Sequence, residues 1–193
     1  MSTLIESFLS TTEEKQRLND WMFETIKPFI KGRIFEIHSG EGEFSSRLIN
    51  HGFTIQLNAI SDSNRKYLRD KFKESTMVRG VHKIDFFRED LEEEYSHFEN
   101  QFPTVIVRDD IEENVINTIH TIKKAKRLLS HGGRFIVIGQ CPTVLFPGTF
   151  PDIKLLKQHN RDWISKLMIN CNLIKTWYFI FGSPNFISVA EKV

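Results

Sequence analysis

The feature that most constrains the fold is residues 35–44, Phe-Glu-Ile-His-Ser-Gly-Glu-Gly-Glu-Phe, in which a short apolar run precedes two closely spaced glycines. The apolar run predicts a buried strand, and Glu36 lies within it. Gly40 and Gly42 allow the backbone to turn tightly, and a helix-like spacing of apolar residues follows. His38 stands where such a turn usually has its first glycine. The stretch therefore predicts a strand, a glycine turn and a helix in succession.

Strand-like and helix-like segments alternate along most of the chain. The predicted strands are 33–37, 53–60, 78–84, 104–107 and 135–138. The predicted helices are 12–30, 44–52, 63–73, 111–129 and 162–168. Because parallel strands need crossover helices that cover both faces, this order predicts a doubly wound α/β fold with a mostly parallel, seven-stranded, Rossmann-like sheet. Two final runs, 173–181 and 185–190, flank Gly-Ser-Pro and predict an antiparallel hairpin that closes the sheet.

Length and composition favour a single globular unit. The chain has 193 residues, of which 40% are hydrophobic, and its 26 basic and 25 acidic side chains give a net charge of +1. We expect one domain over residues 1–193, with a helical lead-in over residues 1–31. A net charge so close to zero creates no field that would attract nucleic acid, so no nucleic-acid partner is expected.

Membrane, secretory and metal-binding classes are not indicated. No apolar run approaches the about 18 residues of a membrane span, and the N-terminus lacks the pattern of a secretory signal. A cytoplasmic location is therefore expected. Cys141 and Cys171 are too few for a disulfide framework, and the seven histidines include no H-x-x-x-H pair, so we predict no metal site.

The glycine turn lies where a doubly wound sheet binds nucleotides. Glycines at the first strand-to-helix turn let the backbone approach a ligand, and the following helix presents free N–H groups. A NAD fingerprint needs G-x-G-x-x-G directly after the strand, whereas no third glycine follows Gly40 and Gly42 at that spacing. A NAD-dependent oxidoreductase is therefore the weaker prediction.

The turn resembles instead the first motif of class I S-adenosylmethionine-dependent methyltransferases, which is an acidic residue followed by glycines at alternate positions. Glu36, Gly40 and Gly42 match that motif. Residues 128–135, Leu-Leu-Ser-His-Gly-Gly-Arg-Phe, are similar to a second signature of the family. Residues 19–30 resemble the lead-in helix of a subgroup often linked to sugar and cell-envelope chemistry. The chain is thus similar to a methyltransferase-like subgroup with degenerate cofactor motifs.

The resemblance implies a set of cofactor-binding positions. In the family, the acid of the first motif, here Glu36, orients the loop and the methionyl ammonium region of the cofactor. Asp85 occupies the place of an acid that meets the adenine amino group, and Phe86 follows it as an apolar neighbour of the ring. Residues 110–115 resemble a family segment after the fourth strand, although helix N-capping is at least as good an interpretation of Asp110 as ligand contact. The implied site for S-adenosylmethionine comprises Glu36, His38, Ser39, Gly40, Gly42, Ala59, Ile60, Asp85, Phe86 and Asp110.

Three of these positions depart from the family pattern: Asp110, which replaces an asparagine, Ala59 and His38. An acid that accepts both ribose hydroxyls usually ends the second strand, and Ala59 occupies its place. The loss of two charge-assisted hydrogen bonds, at about 1.5–3 kcal/mol each, would weaken cofactor binding unless Asn58 or Asp62 substitutes. His38 adds an imidazole where the loop usually leaves room for the ligand, and a pure packing role is an equal alternative.

The resemblance implies S-adenosylmethionine-dependent methyl transfer to a small molecule or a saccharide-type acceptor. Because the methyl group of this cofactor is already activated, no catalytic motif is obligatory, and we assign no catalytic residue. His120 or His159 could act as a base, although a surface position is the favoured interpretation of both. Residues 146–151 are predicted to form a lid that recognises the acceptor. The alternative is a non-catalytic, methyltransferase-like binding or regulatory module that has lost normal cofactor binding.

Overall fold

The computed structural model describes residues 12–86, 88, 95–109, 115–140, 171–181 and 183–193. The described helices are α1 (Thr12–Ile26), α2 (Glu43–Asn50), α3 (Asp62–Lys71) and α4 (Val115–Leu128). Short 3-10 turns lie at Lys27–Phe29 and Ser96–Phe98. The strands are β1 (Ile34–Ile37), β2 (Ile55–Asn58), β3 (Val78–His82), β4 (Phe102–Asp109), β5 (Leu129–Gln140), β6 (Cys171–Phe181) and β7 (Ser183–Lys192).

The seven strands form one sheet in the order β3-β2-β1-β4-β5-β7-β6. Strands β1 to β5 run parallel to one another, and β7 runs antiparallel to both β5 and β6. This arrangement confirms the predicted doubly wound α/β fold with a mostly parallel sheet and a closing C-terminal hairpin. From β1 the chain moves outward through β2 and β3, and it then returns to β4 on the other side of β1. The topological switch point therefore lies between the carboxyl ends of β1 and β4.

The end of α1 shows how local sequence sets a helix boundary. The pattern predicts a helix over 12–30, but α1 ends at Ile26 and a 3-10 turn follows at Lys27–Phe29. Pro28 lies in that turn, and proline lacks the N–H that would continue the α-helical ladder. The predicted helix over 162–168 lies outside the described residues. None of the described helices has the length and apolar character that a membrane span requires.

Two strands extend beyond the apolar runs that predicted them. The predicted strand 104–107 is β4, which spans Phe102–Asp109, and the predicted strand 135–138 is β5, which spans Leu129–Gln140. Backbone pairing continues past the apolar runs, and the added residues include Phe102 and Leu129, which pair with each other and are buried in the core. β4 pairs with β1 and β5, and β5 pairs with β4 and β7, so each has a hydrogen-bonded neighbour on both sides.

The central strand β1 is buried on both of its faces, and all four of its residues are inaccessible to solvent. Because side chains alternate along a strand, Ile34 and Glu36 point to the face covered by α1, α2 and α3. Phe35 and Ile37 point to the opposite face, which α4 covers. The burial of one such apolar side chain contributes about 1.5–3 kcal/mol. Glu36 is the one charged residue among all the buried residues that the structure describes.

Asn58, the last residue of β2, fixes the segment that follows β3. Its side-chain nitrogen donates to the Ile84 carbonyl at 2.9 Å, and its side-chain oxygen accepts from the Ile84 N–H at 2.8 Å. Asn58 has no exposed surface, so water does not compete for either hydrogen bond. The pair therefore joins the carboxyl end of β2 to the chain that leaves β3.

We expect Asn58→Ala to lower the free energy of unfolding by about 2–4 kcal/mol, because two buried backbone groups of Ile84 lose their partners. Urea denaturation measures this loss. Asn50→Ala, at the exposed end of α2, is the matched control and should change the stability by less than about 0.5 kcal/mol. If Asn58→Ala and Asn50→Ala lost equal free energy of unfolding, the two hydrogen bonds between Asn58 and Ile84 would contribute nothing specific.

Candidate functional site

The loop from His38 to Gly42 joins β1 to α2 at the switch point. Its backbone is left-handed at three positions, with φ of 60° at His38, 55° at Gly40 and 72° at Gly42. Glycine adopts this conformation without steric cost, whereas the Cβ of His38 makes it unfavourable. The loop thus follows the glycine turn that the sequence predicts, with a histidine held in a glycine-like conformation.

Ser39 ties this loop to the neighbouring strand β2. Its N–H donates to the Asn58 carbonyl at 3.0 Å, and its Oγ accepts from the Asn58 N–H at 3.2 Å. Its own carbonyl accepts from the Gly42 N–H at 2.9 Å, which closes the turn before α2. Ser39 has no exposed surface. It is therefore a support of the loop, and its side chain does not face solvent.

The two glycines of the loop meet different surroundings. A Cβ at Gly42 would lie 2.7 Å from Leu68 Cδ2 and 2.8 Å from Phe72 Cε2, so the loop packs directly on α3 and the residue after it. A Cβ at Gly40 would meet none of the described residues within 4 Å, and Gly40 is exposed. Gly42 is thus needed for packing, whereas Gly40 presents open backbone to the space outside the loop.

Glu36 is a fully buried carboxylate at the base of the loop. Ser45 Oγ, in α2, donates to Oε2, whereas Oε1 has no hydrogen-bond partner among the described residues. Burial raises the pKa of Glu36, and it outweighs the opposing effects of the Arg108 charge and of Ser45 and Ser39. A buried carboxylate with a perturbed pKa and one unpaired oxygen is a typical feature of a ligand site.

Arg108, near the end of β4, supplies a positive charge on the solvent side of Glu36. Its Nη1 lies 3.9 Å from Glu36 Oε1, and its guanidinium lies 5.2 Å from the centre of the Phe44 ring. The Arg108 side chain is 29% exposed, in contrast to the fully buried Glu36. A distance of 3.9 Å is too long for a hydrogen bond, so the interaction is one of charge. Sequence reasoning missed Arg108, whose one signal is a basic residue at the end of an apolar strand.

His38 bridges the switch point. Its Nδ1 donates to the Arg108 backbone carbonyl at 3.1 Å and so connects the loop after β1 to the end of β4. Because a carbonyl oxygen can only accept, Nδ1 carries the hydrogen in this contact. The imidazole therefore lies across the crevice in which open parallel α/β sheets bind their ligands.

Ala59, directly after β2, cannot accept a hydrogen bond through its side chain. It is 5% exposed, and its N–H donates to the His82 carbonyl at 3.1 Å. Asn58, one of the two possible substitutes for the missing acid, uses both polar atoms of its side chain on Ile84. Asn58 is therefore unable to bind ribose hydroxyls while this pair is intact.

Asp62, the other possible substitute, is the first residue of α3 and is exposed. Lys83 Nζ donates to its Oδ1 at 3.1 Å, and Arg65 also pairs with it. The hydrogen bond and charge of Lys83, together with the charge of Arg65, hold the pKa of Asp62 below its usual range. Asp62 is therefore an ionised acceptor near the end of β2.

The architecture is similar to that of several solved structures. The PH0226 protein from Pyrococcus horikoshii OT3 matches 96% of this chain and 93% of its own, with a TM-score of 0.67 and 19% identity. The N-methyltransferase NodS from Bradyrhizobium japonicum WM9 matches 95% of this chain and 98% of its own, with a TM-score of 0.65 and 11% identity. A SAM-dependent methyltransferase from Methanosarcina mazei matches 88% of this chain and 97% of its own, with a TM-score of 0.63 and 10% identity. This chain has the class I methyltransferase fold.

No family model and no curated protein sequence matches the chain. Because identity to the three solved structures is between 10% and 19%, the likeness concerns the methyltransferase fold and not the chemistry of the site. The chemistry depends on the residues that this chain places at the switch point.

The remaining predicted residues of the methyltransferase-like site are Ile60, Asp85, Phe86 and Asp110. Ile60 and Asp85 are half-buried, after β2 and β3 respectively. Phe86 has no exposed surface and packs in the core on the α4 face of the sheet, so a ligand cannot touch its ring in this conformation. The described residues do not include Asp110, His159, the 146–151 segment or the His120 side chain. Within the described part of the chain, no three His, Cys, Asp or Glu side chains group as metal ligands.

The raised pKa of Glu36 predicts a specific dependence of stability on pH. The folded protein holds the Glu36 proton more tightly than the unfolded chain, whose carboxyl titrates near its ordinary value of 4.5. The stability from this proton is fully present below pH 4.5 and is lost as the pH rises through the raised folded value. Glu36→Gln lacks this titration but keeps an acceptor for Ser45.

We therefore expect the free energy of unfolding of the wild type, minus that of Glu36→Gln, to fall as the pH rises from 4.5. Urea denaturation at several pH values measures both proteins, and circular dichroism at each pH checks that both start folded. A difference that stays constant with pH would contradict the raised pKa.

Proposed function

We propose that this protein transfers a methyl group from S-adenosylmethionine to a small-molecule or saccharide-type acceptor. The observation that carries the proposal is the left-handed loop from His38 to Gly42, which lies at the switch point and leads into the N-terminus of α2. Open backbone at Gly40 and free N–H groups in the first turn of a helix suit a nucleoside ligand. NodS, which is similar in fold over 98% of this chain, was also solved with S-adenosyl-L-homocysteine, and this supports the class of cofactor.

In this proposal the loop from His38 to Gly42 lies along the methionyl and ribose parts of the cofactor, and Gly40 leaves room for them. Glu36 orients the loop from beneath, through Ser45 and the charge of Arg108. Asp85, after β3, meets the adenine amino group. Asp62 is the best remaining acceptor for the ribose hydroxyls, because it is ionised and exposed whereas Asn58 is committed to Ile84.

S-adenosylmethionine supplies an activated methyl group when it is bound, so the protein contributes chiefly position and alignment. The exposed part of Arg108 gives the crevice a fixed positive charge beside Glu36. That charge attracts an anionic group of the cofactor or of the acceptor.

A second candidate function is a non-catalytic binding or regulatory module. Two observations favour it: the His38 ring is hydrogen-bonded across the crevice, and Ala59 stands where a ribose acceptor is expected. In that case the loop from His38 to Gly42 would only stabilise the fold, and the surface of the protein would bind a partner. Both candidates assume a single domain over residues 1–193 that acts in the cytoplasm.

The cofactor proposal predicts that Gly40→Asn weakens the binding of S-adenosylhomocysteine by at least about tenfold in calorimetric titration. Asparagine tolerates a left-handed backbone better than other side chains, so the variant should fold, and its amide would fill the space outside the loop. Gly52→Asn is the matched control, because Gly52 also has a positive φ and open space but lies in the turn before β2.

The control should bind S-adenosylhomocysteine within about twofold of the wild type. A wild type that releases no heat with millimolar S-adenosylmethionine or S-adenosylhomocysteine would overturn methyl transfer and leave the non-catalytic candidate. Binding should also raise the melting temperature as the ligand concentration increases, because the ligand stabilises the native state.

Restoring the family pattern at two positions should strengthen binding of the cofactor. Ala59→Asp combined with His38→Gly adds an acceptor for the ribose hydroxyls and removes the imidazole from the crevice. We expect S-adenosylmethionine to bind at least about tenfold more tightly to this double variant than to the wild type. The single variant His38→Gly separates the two effects, and an unchanged affinity in the folded double variant would show that these positions do not face the cofactor.

A further inference from the structure

A groove of about 520 Å³ lies between α3 and the edge strand β3, on the outer edge of the sheet. We name it the basic groove, because its lining includes Arg69, Lys73 and Arg79 but no acidic side chain. All of its lining residues fall between positions 68 and 82. None of them belongs to the predicted cofactor site, so the groove is a separate feature of the molecule.

Positive charge is concentrated around this groove. Residues 62–83 contain seven basic and three acidic side chains, although the whole chain has a net charge of only +1. Arg79 is exposed and forms no ion pair with any residue that the structure describes. Lys73 lies 4.0 Å from the Glu74 carboxylate, but both side chains are exposed, and such pairs contribute little. The groove therefore has a local positive potential with little internal compensation.

The backbone of β3 argues against an added peptide strand as the occupant. The His82 carbonyl faces β2 and accepts from the Ala59 N–H, so the Val81 carbonyl points to the outer edge. Arg69 Nη2 donates to that carbonyl at 3.2 Å and so occupies an acceptor that an incoming strand would need. The register between β2 and β3 also shifts near Gly80, and such irregularities disfavour pairing at an edge. A compact anion fits the edge better than a strand does.

The size and the lining of the groove indicate the class of ligand. A volume of about 520 Å³ lies within the range of small-molecule sites. Phe72 and Val78, which are both partly exposed, provide apolar surface beside the cationic side chains. Phosphate groups carry concentrated negative charge and several acceptor oxygens, which suit the forked donors of arginine.

We propose that the basic groove binds a phosphorylated small molecule, whose phosphate group is held by Arg69 and Arg79 and whose body lies against the apolar wall. Lys73 adds a further positive charge at the rim. The proposal does not depend on methyl transfer, since none of the residues that line the groove belongs to the predicted cofactor site.

The test is a calorimetric titration of the full chain with inorganic pyrophosphate, at low and at physiological salt and without S-adenosylmethionine. We expect saturable binding, weakened by at least about tenfold in Arg79→Gln, because one charge-assisted contact is lost. Lys66→Gln removes the same charge from an exposed position on α3 outside the groove, and it should change the affinity by less than about twofold. Thermal melts without ligand check that both variants fold.

Three results would overturn the proposal. The first is no saturable heat up to about 10 mM pyrophosphate, and the second is an equal loss of affinity in both variants, which would indicate a diffuse field. The third is tighter binding of a single-stranded oligonucleotide that weakens steeply with salt, which would identify a nucleic-acid surface instead. Because no methyltransferase ligand is present, failure of the cofactor proposal would leave these outcomes unchanged.

Discussion

The carboxyl edge of the sheet depends on one buried polar junction centred on Asn58. Its backbone exchanges hydrogen bonds with Ser39 in both directions, and its side chain does the same with the backbone of Ile84. These groups are shielded from water, so the junction sets the loop after β1, the end of β2 and the segment after β3 in fixed relative positions. Such support is needed because a left-handed non-glycine residue such as His38 costs about 1–2 kcal/mol.

Charge in the crevice is arranged around Glu36 and Arg108. A carboxylate buried as completely as Glu36 is costly, and Ser45 and Arg108 offset only part of that cost, since the pKa of Glu36 stays raised. Arg108, a residue of the protein itself, therefore supplies the positive charge beside Glu36. A ligand that carried only a positive group would be repelled by Arg108. In the proposed function, a methionyl carboxylate would lie near the partly exposed Arg108, whereas the fully buried Glu36 acts on a ligand only through its charge.

The architecture could be predicted from the sequence because local patterns determine the sheet. These patterns are periodic apolar runs, glycine turns and the Gly-Ser-Pro break before the last strand. The site was predicted less completely, because its key contacts join residues that are distant in the chain. Asn58 is a polar residue at the end of an apolar run, and nothing local indicates that it pairs with Ile84, 26 positions away. The approach of Arg108 to Glu36 likewise depends on β1 and β4 being neighbours. Phe86, predicted beside the adenine ring, lies in the core because an apolar residue after a strand can turn either way.

Helix α3 lies between the two surfaces for which ligands are proposed. Leu68 and Phe72 line the basic groove, and they also pack so closely on Gly42 that no side chain fits there. Lys71 Nζ adds a hydrogen bond to the Glu41 carbonyl at 2.8 Å. A ligand that favoured a slightly different position of α3 would therefore act on the left-handed turn directly, because close-packed side chains transmit small displacements. A side chain at Gly40 would meet none of the described residues within 4 Å, so Gly40 is open to a ligand. Gly42, in contrast, is in contact with Leu68 and Phe72, so a shift of α3 would displace it.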